Sequence, residues 1–173
     1  MVMVSKLNKY VEVLERICRH IQPGKKAVQK LAYLIERSGV DLDLEYRIHF
    51  FGPYSAKLDN VLHLLQCNEV IEINTQKPTH IISIIDIPCY EGEKLTDEEK
   101  EIVDSVLDNF SGLSALELEG ITTIDYVATS IECTEVSSDD AIIEKVKHIK
   151  GTKFSDGQLK RYLEILKQYN FLS

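Results

Sequence analysis

The sequence lacks several features on which whole classes of protein depend. It has no tryptophan and no apolar run near the roughly 20 residues that span a bilayer, and its first ten residues lack the layout of a signal peptide. Its cysteines never form a CxxC pair, which argues against a zinc ribbon or a dithiol redox site. We therefore expect a cytoplasmic protein with reduced structural thiols at Cys18, Cys67, Cys89 and Cys133.

Motifs that carry catalytic chemistry are also missing from the sequence. There is no GxSxG, P-loop, HExxH or GxGxxG pattern, and no two of the five histidines stand four residues apart. The carboxylates of residues 91–99 fall in a loop and in the first turn of a predicted helix, where the helix dipole accounts for them. We predict no catalytic residue, no metal site and no cofactor, and hence a protein that is not an enzyme.

The composition is that of a globular protein with an uneven charge. Hydrophobic residues make up 44% and charged residues 28% of the 173 residues, which suits one or two packed units. Residues 91–140 hold 15 acidic and 2 basic side chains, so this segment carries −13 while the whole chain carries −8. Such asymmetry argues against a nucleic-acid binder that uses its whole surface.

Three amphipathic helices are predicted in the first half of the chain. Apolar residues at i, i+3, i+4 and i+7 predict one helix from Leu7 to the Pro23-Gly24 pair and a second from about Lys25 to Arg37. A third begins at Ser55, whose side chain can cap it, and ends near Cys67.

Three β-strands are predicted in the same half. Leu44, Tyr46, Ile48 and Phe50 recur with a period of two and predict a strand that the Gly52-Pro53 turn stops. Two further runs, 70–73 and 80–85, are joined by a polar loop and predict a hairpin. We expect the three strands to form one antiparallel sheet. The last strand is rich in isoleucine and does not alternate between apolar and polar residues, so we expect helices to cover both of its faces.

The second half of the chain is predicted to be helical. Residues 87–95, with a proline and a glycine among charges, mark the predicted boundary between residues 1–90 and 91–173. Another helix is expected from Ser138 to Lys150, with Ile142, Val146 and Ile149 inward. The fold class is therefore α+β, mainly α, with the helical half packed on the first. Capping boxes predict three helix starts, at Thr96 with Glu99, Ser114 with Glu117, and Ser155 with Gln158.

Several stretches resemble a known family. QKLAYLIERSG, YRIHFFGPYSAKLDNVLHLL and the EVIEI hairpin are similar to the YwgA-like prokaryotic proteins and, more distantly, to the SocA-like antitoxin (Panacea) domain, in which a KLQKLxYL helix precedes a YGP turn. Residues 95–128 and 142–172 are similar to the C-terminal part of the YwgA-like pattern, although the tryptophan of the antitoxin pattern is missing. The resemblance implies a winged-helix-like core over residues 1–90 and a non-enzymatic role in regulation or in binding a protein partner.

Two candidate binding surfaces follow from the sequence. The turn after the first strand would display His49 and Tyr54 to a partner, although each residue of that turn also has a local structural role. A basic patch at the junction of the first two helices would either neutralise phosphates or form a solvated face. The basic patch comprises Arg16, Arg19, His20, Lys25, Lys26 and Lys30. A second basic cluster, open to the same two interpretations, comprises Lys145, Lys147, Lys150, Lys153, Lys160 and Arg161.

The acidic segment 91–140 is either a solvated face or a docking surface for a basic protein, such as a toxin that would otherwise bind nucleic acid. We predict a protein-interaction module, antitoxin-like or regulatory, that binds a protein partner and no membrane. The alternative is a DNA-binding winged-helix transcriptional regulator that uses the basic patch or the hairpin. A strand between the second and third helices replaces the tight turn of a helix-turn-helix, which disfavours this alternative.

Overall fold

The computed structural model describes residues 5–76, 80–88, 90–130 and 138–173. Over these residues it contains seven helices and two two-stranded antiparallel sheets, so the α+β, mainly α class is confirmed. The expectations for Cys89, Cys133 and part of the 74–79 loop lie outside the described residues. The elements are α1 (Leu7–His20), α2 (Lys25–Arg37), β1 (Arg47–His49), β2 (Gly52–Tyr54), α3 (Ala56–Cys67), β3 (Ile71–Asn74), β4 (Ile81–Ile84), α4 (Asp97–Phe110), α5 (Ala115–Ser130), α6 (Asp139–Lys150) and α7 (Asp156–Gln168).

The chain divides into two compact units, each made of two segments. Unit 1 comprises residues 1–46 and 55–113, and unit 2 comprises residues 47–54 and 114–173. This division does not coincide with the expected boundary at 87–95, because α4 packs on α1 and α2 within unit 1.

Unit 1 forms around the apolar faces of its four helices. Leu14, Ile17 and Leu62 are among its buried residues, and the void that they help to line measures only about 10 Å³. β3 pairs with β4 in this unit, which confirms the predicted hairpin. Helices do not cover both faces of β4 as expected: Ile82 is buried, but Ile85, just past the strand, is 60% exposed.

The strand predicted over residues 44–50 is wrong at both ends. Asp43 and Glu45 each have φ of 54°, which interrupts extended backbone, so β1 begins only at Arg47. β1 ends at His49 because the chain turns at Phe50-Phe51, and Phe50, expected within the strand, is 74% exposed at this turn.

The predicted three-stranded sheet is also wrong. The Gly52-Pro53 pair does not stop the strand but belongs to β2, which pairs with β1. The two-residue turn folds the chain back at once, so β2 pairs with one edge of β1, and β3 and β4 form a separate sheet.

Unit 2 packs the β1–β2 hairpin, α5, α6 and α7. α5 is central, since it contacts β2, α6 and α7. Leu118, Ile121 and Ile124 of α5 are fully buried. In α6 the expected inward residues Ile142 and Val146 are buried, whereas Ile149, also expected inward, is 45% exposed because it lines an open groove.

Candidate functional site

The tip of the β1–β2 hairpin presents apolar side chains to solvent. Phe50 is 74% exposed, and Phe51 and Ile48 are each 38% exposed. The Phe50 and Phe51 rings meet edge to face with centroids 5.0 Å apart. A turn normally carries glycine, asparagine or aspartate, so two phenylalanines at this position are not explained by turn formation.

A partly buried ionic cluster contacts this tip. The Glu119 carboxylate on α5, only 4% exposed, accepts hydrogen bonds from Lys150 (2.9 Å) and Lys153 (2.7 Å). Lys150 Nζ also donates to the Phe50 carbonyl at 2.6 Å. Lys153 Nζ lies 5.8 Å from the Phe50 ring centroid and 5.3 Å from that of Phe51, within cation–π range. We name Glu119, Lys150 and Lys153 the tip anchor.

The environment of the tip anchor shifts the pKa of Glu119 and of Lys150. Burial opposes the charge on Glu119, but hydrogen bonds from Lys153 and Lys150 outweigh it and lower the pKa of the carboxyl. Burial lowers the pKa of Lys150, and the adjacent Glu119 carboxylate counters only part of that effect. Two cations therefore share one buried anion, and the Phe50 carbonyl and the aromatic rings supply the remaining negative potential.

A groove of about 460 Å³ lies in unit 2 between the hairpin and two helices. Ile48 of β1, Val127 at the end of α5 and Ile149 of α6 form apolar parts of its wall. Lys145 and His148 form its polar part, beside Glu144. The exposed apolar residues of the hairpin and the groove thus belong to the same unit.

The predicted basic patch is mostly paired with carboxylates. Arg16 donates to both oxygens of Asp104 at 2.6 Å, Arg19 pairs with Glu15, His20 lies 3.4 Å from Asp108, and Lys25 is 2.6 Å from Asp59. Lys30 is only 3% exposed and so is not part of a surface patch, and Lys26 also has an interaction within the chain. The six residues are therefore not brought together as a freely charged surface.

The structure places the other predicted residues as follows. His49 and Tyr54 are neighbours on the hairpin, with ring centroids 5.5 Å apart. In the second basic cluster, Lys150 and Lys153 are part of the tip anchor and Lys147 pairs with Asp156 at 2.7 Å. Within the described part of the acidic segment, Glu119 is buried in unit 2, and Asp104 and Glu99 pair with Arg16 and Lys9 in unit 1.

Sequence reasoning missed the tip and its anchor. The one signal that pointed to the tip was the adjacent Phe50-Phe51 pair beside a Gly-Pro turn. The anchor had no local signal, since Glu119 stands 31 residues before Lys150. Charges at that separation become partners only through the packing of α5 against α6.

Comparison with known proteins gives a short partial match. No protein-family model matches this chain. Over 43 residues the chain is 42% identical to a protein named DNA ADP-ribosyl glycohydrolase from Thermus aquaticus. Those residues are 25% of this chain and 12% of that relative, so the chain matches only about an eighth of the relative's length. The resemblance to YwgA-like and SocA-like proteins stays a prediction.

The described residues contain neither a candidate membrane span nor a candidate metal site. None of the helices described here has the length and apolar character needed to cross a bilayer. Among residues 5–76, 80–88, 90–130 and 138–173, no three histidine, cysteine, aspartate or glutamate side chains are grouped so that they could hold a metal ion.

Proposed function

We propose that this protein is a cytoplasmic, non-enzymatic interaction module, antitoxin-like or regulatory, that binds a protein partner through the hairpin tip of unit 2. The observation that carries the proposal is Phe50, a large apolar side chain that is 74% exposed although its backbone is anchored. Exposed aromatic residues held in one conformation are typical of binding hot spots, because little conformational entropy is lost when they are buried.

The tip anchor supports this interpretation. Burying charged groups is costly unless they are paired, and Glu119 and Lys150 are both almost fully buried. A phenylalanine can be exposed at a hairpin turn without an ionic cluster beneath it, so exposure alone does not account for the tip anchor. A rigid aromatic tip explains both the ionic cluster and the exposed ring.

Affinity capture from a lysate of the source organism tests the proposal. We expect the wild-type protein to retain a specific protein partner, such as a toxin, and Phe50→Ala to lose it. Leu116→Ala is the matched control, since Leu116 is also in unit 2, is 46% exposed and lies at the start of α5. No partner, or equal capture by all three proteins, would overturn the proposal.

The name of the Thermus aquaticus relative describes an enzyme, so the non-enzymatic part of the proposal needs its own test. The purified chain is incubated with ADP-ribosylated DNA and the release of ADP-ribose is followed. We expect no release above that from the DNA alone. Release that scales with protein concentration would contradict a non-enzymatic role.

A second candidate function is DNA binding by a winged-helix-like core in residues 1–90, as a transcriptional regulator. The DNA in the relative's name favours it, and Arg19 and His20 border a groove of about 580 Å³ beside β4. Titration with random-sequence duplex DNA separates the two functions. Affinity that falls log-linearly with salt would support the regulator, whereas no binding at low salt would exclude it.

A further inference from the structure

We propose that the partner is held by strand addition: an extended segment of it pairs with the open edge of β1, places an apolar side chain in the unit 2 groove and directs an acidic side chain to Lys145. The inference rests on the proposed function, since it names how the protein partner would be recognised. It is carried by the pairing geometry of the hairpin, by the groove and by charge.

The direction of the Ile48 backbone groups follows from the register of the hairpin. Ile48 pairs with Pro53, while Arg47 pairs with Tyr54 and His49 with Gly52. Opposed residues in an antiparallel pair alternate between exchanging two hydrogen bonds and exchanging none. Proline has no N–H, so the Ile48 and Pro53 pair must be the kind that exchanges none. The N–H and C=O of Ile48 therefore point away from β2.

That edge of β1 is open. Among the described residues β1 pairs only with β2, and all three of its residues are exposed. One outward donor and one outward acceptor on the same residue match the backbone of an extended peptide. A regular helix has no such free pair along its length, because its backbone groups bond to one another.

The groove beside this edge matches an apolar side chain. Its walls include Ile48, Val127 and Ile149, and its volume of about 460 Å³ is ample for side chains of an extended segment. In a strand, alternate side chains point to the same face, so one in two residues of the occupant would enter the groove.

Charge selects an acidic occupant. Within the described part of the chain, Lys145 is exposed and has no ion pair, whereas Glu144 is bonded to Lys147 at 3.2 Å. Among the described residues, the groove therefore presents a cation with no ion-pair partner. A second copy of this chain would fit poorly: antiparallel pairing centred on Ile48 would oppose Arg47 of each copy to His49 of the other, with no acidic partner.

A phage library of random 12-residue peptides, selected on the full-length protein, tests the inference. We expect selected peptides to alternate apolar residues with other residues and to contain aspartate or glutamate. Synthetic peptides should shift the amide resonances of residues 47–49 and of the groove. N-methylation of the one residue that faces Ile48 should weaken binding about tenfold, because a backbone donor is lost.

Lys145→Glu is expected to weaken binding of these peptides roughly fivefold or more, and Lys167→Glu, a charge reversal at an exposed lysine of α7 outside both basic clusters, to have no effect. The inference would be overturned if no peptide bound, or if the selected peptides had a helical pattern or were basic. It would also be overturned if neither N-methylation nor Lys145→Glu changed the affinity, or if the protein self-associated through residues 47–49. Partner capture that requires Phe50 but survives Lys145→Glu would refute strand addition and leave the proposed function standing.

Discussion

Glu119 is the residue on which the conformation of the hairpin tip depends. Its carboxylate is shared by Lys150 and Lys153, and the Lys150 side chain is only 3% exposed. Glu119→Gln keeps the shape but leaves a buried ammonium group without its anion. We expect the free energy of unfolding to fall by about 3 kcal/mol. Glu164→Gln, at an exposed position of α7, should change it little.

The pH dependence of stability separates this charge effect from a packing effect. Because the folded protein lowers the pKa of Glu119 below the ordinary value of 4.5, the carboxylate contributes stability above that pH. The contribution is lost as pH falls through the lowered pKa. Urea denaturation of wild type and Glu119→Gln from neutral pH to about pH 3 should therefore show their difference shrinking below 4.5. A difference independent of pH would refute the ionic anchor.

At the scale of elements, α5 and α7 approach closely at Gly120. A Cβ at this position would lie 2.7 Å from Cδ2 of Tyr162, and Tyr162 is only 2% exposed, so its ring has little room to move. We expect Gly120→Ala to lower the free energy of unfolding by about 1 to 3 kcal/mol despite the better helix propensity of alanine. Thermal denaturation measures the loss. Gly157→Ala, where no atom lies within 4 Å, should not destabilise, and an equal loss at both glycines would contradict close packing.

Helix caps of the same chemistry differ in burial. Ser55 is fully buried: it accepts from Leu58 N at 2.9 Å, donates to the Leu44 carbonyl and has its backbone paired with the Gln29 amide. Thr96 caps α4 at the surface. Thr96→Ala should cost about 1 kcal/mol and Ser55→Ala about 2 to 3 kcal/mol, because the latter leaves a buried carbonyl without its donor. Chemical denaturation of both variants checks the order, and equal losses would refute it.

The helices could be predicted because their signals are local. α2 has the predicted bounds, and the capping boxes at Thr96, Ser114 and Ser155 are all formed. The bounds of the first strand could not be predicted in the same way. The alternating pattern of the sequence is compatible with extended backbone, but Asp43 and Glu45 have positive φ, which depends on tertiary contacts such as the hydrogen bond from Leu44 N to the Glu36 carboxylate. His49 and Tyr54 are neighbours on the hairpin, but the tip and its anchor depend on packing within unit 2.

At the scale of the whole molecule, unit 2 draws on two distant parts of the chain. β2 covers α5, although residues 47–54 precede α5 by about 60 positions. Replacement of residues 47–54 by a Gly-Ser linker should therefore reduce hydrogen-exchange protection in α5, α6 and α7. The amides of α1 to α4, which pack within unit 1, should keep theirs. Equal loss in both groups, or no loss in unit 2, would contradict this division of the chain.

The dissociation constant of the captured partner tests the central claim most directly. It is measured for the wild type, Phe50→Ala and the Leu116→Ala control, all as full-length proteins. Because an anchored, exposed aromatic residue acts as a hot spot, Phe50→Ala is predicted to weaken binding at least about 30-fold, with Leu116→Ala unchanged. A Phe50→Ala affinity within about twofold of wild type would contradict the claim that the hairpin tip binds the partner.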